Sequence, residues 1–268
     1  MRIVSWNMRS ARPDRIEAWS YLLEFNPDIA ILQDVVDIPL QVATKYTSRE
    51  AFAVRQNGQR QRFKTVLLTQ GNFGEQMELP AAEPWIAEEF QRYAGNLLVY
   101  PVDTGLGHRL NVVNVYNPAW PINKGRLEGI DTQTVRLSQQ RRYIWLSDLL
   151  WSSLNELIKM SSDPFVIAGD FNLCESFDKW SGGPHGNREY LKRMASVGLV
   201  ECLRHYTGQL TPTFKRPGGD QATCQIDHMF ISESLVGGIR AATVGSEGRV
   251  FGGNLSDHLP IVVDFNTA

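Results

Sequence analysis

An α/β fold of paired, mixed sheets covered by helices is what this chain predicts, and three observations carry the prediction. Short apolar runs of strand length recur from one end to the other. Segments with helical periodicity are few and do not alternate regularly with those runs, which argues against a doubly wound parallel sheet. No linker, repeat or break in composition interrupts the 268 residues, so residues 1–268 are expected to form one domain.

The elements follow in order. Arg2-Ile3-Val4-Ser5-Trp6 opens on a strand pattern. Pro13 suits the first turn of a helix, and Ile16, Trp19 and Leu23 fall at i, i+3 and i+7, one helical face that stops before Asn26-Pro27. The run Ile29-Ala30-Ile31-Leu32 is short and continuously apolar, the mark of a strand buried on both faces. Residues 49–69 are expected to hold two strands around Gln56-Asn57-Gly58-Gln59, because Asn-Gly is a strong hairpin signal. Strands over 96–102 and 109–116 flank a turn at Thr104-Gly105-Leu106-Gly107. A long helix is read from about residue 132 to 160, with Leu150, Leu154, Leu157 and Ile158 on its apolar face. The strand Phe165-Val166-Ile167-Ala168 comes next, then a short helix marked by Tyr190, Leu191, Met194 and Ala195. Two final strands carry Asp227 and follow Asp257.

The bulk numbers narrow the class. Hydrophobic residues make up 43% and charged residues 21%, as in an ordinary globular protein. With 27 basic and 29 acidic residues the chain lacks the basic excess of a dedicated duplex-DNA binder, although charge gathered on one face would serve a nuclease. Cys174, Cys202 and Cys224 are widely spaced and odd in number, which argues against a disulfide framework and a structural zinc site. No signal-peptide pattern and no stretch of membrane-span length is found, so a cytoplasmic protein is expected. The sequence shows no oligomeric interface.

Chemistry enters with the carboxylates. Asp170 ends the apolar run Phe165-Val166-Ile167-Ala168-Gly169, Asp34 follows Leu32-Gln33, Asp227 opens the run to Ile231, and Asp257-His258 precedes Leu259-Pro260-Ile261-Val262-Val263. Four carboxylates at the ends of buried strands are costly without positive charge among them. Such an oxygen-rich set suits a hard divalent cation, magnesium or else manganese. The set points to metal-assisted hydrolysis, with phosphate esters as the expected substrate.

Five segments taken together, Ser5-Trp6-Asn7, Pro27 through Asp34, Gly169-Asp170-Phe171-Asn172, Gln225-Ile226-Asp227-His228 and Ser256-Asp257-His258-Leu259-Pro260, resemble the endonuclease/exonuclease/phosphatase superfamily with its DNase I-like fold. The resemblance runs from residue 3 to about residue 265 with the motifs in the family's order. It implies a four-layer α/β/β/α sandwich of two packed, mixed, mainly antiparallel sheets flanked by helices. It also implies in-line attack of water on a phosphoester with one or two divalent ions.

On that reading Asp34 is the leading metal ligand, Asn7 supports the metal shell or hydrogen-bonds the phosphate, and Asp257 completes this metal site or a second one; one or two protein carboxylates suffice for magnesium. The family usually has glutamate where this chain has Asp34. Asp170 would deprotonate the attacking water. Asn172, two residues on along an extended segment, would point the same way and hold that water or a phosphate oxygen. His258 would donate to a non-bridging oxygen, its tautomer fixed and its pKa raised by Asp227. Tyr116 resembles the family's active-site tyrosine, although the family commonly reads Tyr-x-Pro-Asn and this chain reads Tyr-Asn-Pro-Ala. His228 is expected in the core, and His108, His185 and His205 as surface or structural residues.

The expected substrate is DNA or RNA, cleaved by a metal-dependent nuclease. The alternatives are a phosphatase or phosphodiesterase for a small molecule or lipid headgroup, such as an inositol phosphate, and an inactive binding module. Arg9, Arg12, Arg15, Arg55, Arg60, Arg62, Lys64, Arg136, Arg141 and Arg142 are the cations available to a polyanion. Trp120 and Trp180 are candidates for base stacking.

Overall fold

A computed structural model describes residues 1–105, 107, 109–136, 143–179 and 186–266. The first sheet contains β1 (Arg2–Ala11), β2 (Ile29–Val35), β3 (Thr47–Val54), β4 (Arg60–Thr69), β11 (Ile239–Val244) and β12 (Ile261–Phe265), in the order β11-β12-β1-β2-β4-β3. The second contains β5 (Asn72–Phe73), β6 (Leu97–Asp103), β7 (Arg109–Tyr116), β8 (Phe165–Asp170), β9 (Leu199–Glu201) and β10 (Asp227–Ser232), in the order β5-β6-β7-β8-β10-β9. Among these strands only β1·β2 and β7·β8 pair in parallel, so both sheets are mixed and mainly antiparallel, as expected.

Alternation of side chains builds four layers from the two sheets. The facing sides meet in an apolar layer that includes Ile3, Ile29, Ile31, Leu67, Val112, Val166, Ala168, Met229 and Ile261. Outside the first sheet, α1 (Ile16–Glu24), α2 (Leu40–Ala43) and α7 (Glu247–Val250) cover Val4, Trp6, Leu32 and Val66 through Trp19, Leu22, Val42 and Val250. Outside the second, α3 (Pro84–Arg92), α4 (Leu146–Lys159) and α5 (Asn187–Ser196) cover Val113, Val115, Ile167 and Phe230. A short α6 (Cys202–Thr207) adds Cys202 and Leu203 to the inter-sheet layer. The architecture is an α/β/β/α sandwich. No described helix is long and apolar enough to cross a membrane.

Three expectations about elements are corrected. The long helix begins at Leu146, not near residue 132: residues 132–136 form turns, and Asp148 accepts a hydrogen bond from Trp145 N to start the helix there. Pro13 lies in a turn before α1 rather than inside it, and Ile16 is 62% exposed, so the buried face of α1 is Ala18, Trp19, Tyr21 and Leu22. The elements α2, α3, α6, α7, β5, β9 and β11 were not anticipated; most are short, and β5 and β9 are sheet-edge strands of two and three residues. Leu106, His108, Arg141, Arg142, Trp180 and His185 lie outside the described residues.

Candidate active site

The apolar inter-sheet layer does not continue to the C-terminal ends of β2, β7 and β8. Following the inward-facing positions, Ile3 gives way to Ser5 and Asn7 on β1, Ile31 to Gln33 on β2, Val112 to Asn114 and Tyr116 on β7, and Ala168 to Asp170 on β8. Asn114 closes the apolar layer with a polar tier: it donates to Leu32 O and Val66 O across the seam and accepts from Gln33 Nε2 at 2.9 Å. Above that tier sit the charged groups. Tyr116 pairs in register with Asp170 in the parallel ladder, and Asp227 pairs with Asp170 in the antiparallel one.

Gly169 explains how this tier fits together. Its φ is +145°, and a Cβ there would lie 2.0 Å from Val115 O and 3.0 Å from Gln33 Nε2. Only glycine permits β7 and the polar tier to approach so closely.

The groups themselves come from both sheets. Asn7 Nδ2 donates to Asp170 Oδ2 at 3.0 Å across the seam. His258, just before β12, donates from Nδ1 to the two Asp227 oxygens at 3.0 Å each. This leaves Nε2 as the ring nitrogen not engaged by Asp227. Thr213 Oγ1, fully buried, donates to Asp227 Oδ2 at 2.7 Å and fixes the carboxylate from its other side. Trp6 Nε1 donates to His258 O, and Ser256 Oγ donates to Asn7 O while accepting from His258 N, so β1 holds the loop that carries His258. Oxygens of Asp170 and Asp227 and a ring nitrogen of His258 gather within 4.8 Å.

Burial and mutual charge set the protonation states. Burial pushes Asp170 up to about 7, opposed by the positive charge of His258 and reinforced by Asp227. Burial alone would lower His258, but the charge and hydrogen bond of Asp227, with Asp170 and Asp257, raise it to about 9. Burial, then the charges of Asp170 and Asp34, push Tyr116 up, so its phenol stays a hydrogen-bond donor.

Two facing bulges place Asp34. On β1 the ladder to β2 shifts between Asn7 and Ala11, where Arg9 and Ser10 both have left-handed φ, +47° and +55°. On β2 the ladder to β4 shifts between Leu32 and Val35, where Asp34 has φ +54°. Left-handed backbone costs a non-glycine residue roughly 1–2 kcal/mol, and bulges of this kind re-aim side chains beside active sites. Simple alternation would turn Asp34 away from Gln33. Instead its carboxylate accepts from Ser10 Oγ at 3.0 Å and lies within the fields of His258, Asp257 and Tyr116. Its pKa is raised, chiefly by burial.

The donor set fits a hard cation at Asp34. This carboxylate is half-buried, has no ion-pair partner within 4.0 Å among the described residues, and loses stability from its own burial. Asp257 is one-third exposed and near Arg9 Nε at 4.0 Å. Asn7 spends its N–H on Asp170 and accepts from Arg9 N, so only the second lone pair of Oδ1 remains for an ion. The compact cluster of Asp170, Asp227 and His258 is a different set from the expected metal residues Asp34, Asn7 and Asp257. Asp227 is already committed to His258 and Thr213, which makes that cluster a hydrogen-bonded relay first.

One expectation about local geometry at the site is corrected. Asn172 does not continue the β8 strand: the strand ends at Asp170, and Asn172 has φ +47°. Its side-chain amide donates to Asn117 O, and its backbone N–H donates to Asp170 Oδ1 at 3.0 Å. Asn172 therefore braces Asp170 through its main chain. Several cations expected to face a polyanion have other duties. Arg15 donates to four main-chain carbonyls, Lys64 pairs with Glu50 and Asp37, and Arg60 stacks 3.1 Å from the Phe52 ring centroid. Trp120 is half-buried, His205 is exposed, and His228 is buried between Gln225, Leu173 O and Phe230. Ser10 and Asn114 were missed, and the bond of Thr213 to Asp227 was not anticipated. Asn114 could have been found as a polar residue in an otherwise apolar inward-facing row.

Fold and site together define an α/β/β/α sandwich that gathers carboxylates and a histidine on the seam between its sheets. The sequence model of the endonuclease/exonuclease/phosphatase family matches residues 4–258, and the chain belongs to that family, whose members hydrolyse phosphoric esters. No curated protein matches it. Among solved structures it is similar to an AP endonuclease from Archaeoglobus fulgidus, with 19% identity, 99% of each chain covered and a TM-score of 0.69. A 3′-5′ exonuclease (NExo) from Neisseria meningitidis matches at 19% identity over 99% of this chain and 100% of that one, TM-score 0.67. A Neisseria 3′ phosphatase NExo bound to product DNA hairpin matches at 19% identity over 99% of each chain, TM-score 0.66. These likenesses are of fold.

Proposed function

We propose that this chain is a single-domain, divalent-metal-dependent nuclease that hydrolyses DNA or RNA phosphodiester bonds by in-line attack of water. The observation that carries the reading is the relay Asn7–Asp170 beside Asp227–His258, brought together from the two sheets. The DNA held by one of the fold neighbours supports a polynucleotide substrate. Asp34 and Asp257, with Asn7, would hold the cation; when bound, it would neutralise phosphate oxygens and stabilise the charge that develops in the transition state.

The chain's own groups supply the rest. Asp170, with a pKa of about 7, takes the proton of the attacking water as its oxygen bonds to phosphorus. Asn7 and the Asn172 N–H hold the Asp170 oxygens while this happens. His258, protonated below about pH 9, donates from Nε2 to a non-bridging oxygen as negative charge grows. Asp227, itself held by Thr213, keeps the ring oriented. The bond from phosphorus to the leaving oxygen then breaks, that oxygen takes a proton from solvent, and the Tyr116 hydroxyl would donate a hydrogen bond to it as its charge develops. Side-by-side hydrolysis of single-stranded DNA, duplex DNA, RNA and a small phosphodiester, with magnesium, manganese or chelator, tests the reading. Metal-dependent cleavage of a polymer that weakens with salt is expected; turnover of the small ester alone would replace it with a small-molecule phosphodiesterase.

A further inference from the structure

Phe63 is an aromatic side chain with no core to fill. It belongs to none of the apolar clusters of the fold, although its neighbours on β4, Val66, Leu67 and Leu68, are fully buried in two of them. It is only half-buried. Counting inward from Leu67 through Thr65, its side chain comes to the seam at the site end. There its ring meets Tyr116 edge to face, with centroids 5.2 Å apart and planes at 85°. Tyr116 is the register partner of Asp170. A half-buried aromatic ring thus lies one ring away from the proposed catalytic carboxylate.

The flanking chemistry narrows what Phe63 can meet. Lys64 is paired with Glu50 and Asp37, whereas Arg55, Arg60 and Arg62 are exposed; Arg55 Nε bonds the neutral Gln61 and Arg60 lies over the Phe52 ring. An apolar ring beside a phosphate-handling site, on a hairpin that carries exposed arginines, suits a group that is flat, apolar on its face and joined to a phosphate. A nucleobase meets all three conditions, and base–aromatic stacking serves every base alike. In a duplex the base faces are already stacked on their neighbours. We propose that Phe63 is the stacking platform for a base next to the scissile phosphate, which makes single-stranded nucleic acid, or an unpaired end, the substrate. This rests on the nuclease reading above.

The test compares two single-stranded oligonucleotides of equal length, one with bases and one built of abasic spacers, on wild type, Phe63→Ala and Phe63→Trp. Loss of one stacking contact corresponds to a rise in KM on the order of 10-fold. The expected result is that rise for Phe63→Ala on the base-bearing strand, with kcat held, no change on the abasic strand, and recovery in Phe63→Trp. An unchanged KM on the base-bearing strand, or an equal loss on both strands, would overturn the assignment. Fluorescence anisotropy of both strands in chelator reads binding without turnover. If wild type cleaves neither strand, the nuclease reading fails by itself; Phe63 is then judged by anisotropy, where equal binding of the two strands by wild type defeats it. Thermal unfolding of each variant separates lost stacking from lost fold.

Discussion

His258 lies just before β12 of the first sheet and Asp227 opens β10 of the second, yet the imidazole Nδ1 lies 3.0 Å from both carboxylate oxygens. The pair therefore exists only when the sandwich is assembled, and it is fixed from behind by Thr213. Asp227→Asn should keep the ring near its place but remove the charge that holds its proton. The basic limb of the pH–rate profile should move to lower pH, and kcat should fall on the order of 10²-fold or more. An unshifted limb would mean that His258 does not act as a protonated donor.

Removal of metal should expose the cost of the buried carboxylate. Asp170 titrates near 3.8 when unfolded and at about 7 when folded, so its ionisation opposes folding increasingly as pH rises between those values. His258 titrates near 6.5 when unfolded and at about 9 when folded; its stabilisation is complete below 6.5 and lost as pH rises through 9. Both act in one direction. In chelator, the urea midpoint of wild type should drop relative to that of Asp170→Asn between pH 4 and 7. A constant difference would contradict the raised Asp170.

Asp34 offers a direct metal test. Asp34→Ala should weaken manganese binding at least 10-fold by calorimetry, because the half-buried carboxylate that the cation would neutralise is gone. Asp34→Glu restores the family's usual residue but adds a methylene where a bulge and Ser10 already set the reach. It should bind metal with activity retained and a changed preference between magnesium and manganese. Unaltered metal affinity in Asp34→Ala would remove Asp34 from the metal site.

Gly169→Ala should destabilise the fold by roughly 3 kcal/mol or more, since the new Cβ would meet Val115 O at 2.0 Å in a backbone conformation that only glycine adopts readily. Urea denaturation measures it. A wild-type midpoint would show that β7 and the polar tier need not approach so closely.

What was legible in the sequence follows the physics of alternation. Asp170, Asp227 and Tyr116 sit at the ends of strands whose inward rows can be counted from the apolar runs, and the five ordered motifs added Asn7, Asp34, Asp257 and His258. The failures came where local backbone departs from the regular period. The left-handed turn at Asn172 broke the two-residue rule, and the paired bulges at Arg9-Ser10 and Asp34 are invisible to pattern counting. The start of α4 is set by Asp148 and Trp145 rather than by apolar periodicity, which continues weakly upstream. Ile16 matched the helical face in sequence but lies at the first turn of α1, where it faces solvent.

The most direct measurement is single-turnover cleavage of a single-stranded oligonucleotide by wild type and Asp170→Asn at saturating magnesium, with circular dichroism to confirm the fold. Asn keeps the shape of the side chain and cannot accept the proton of the attacking water. A loss of at least 10²-fold in the wild-type rate is the expected result. Asp170→Asn cleaving at the wild-type rate would contradict the account, because the buried carboxylate on the seam would then have no part in the chemistry.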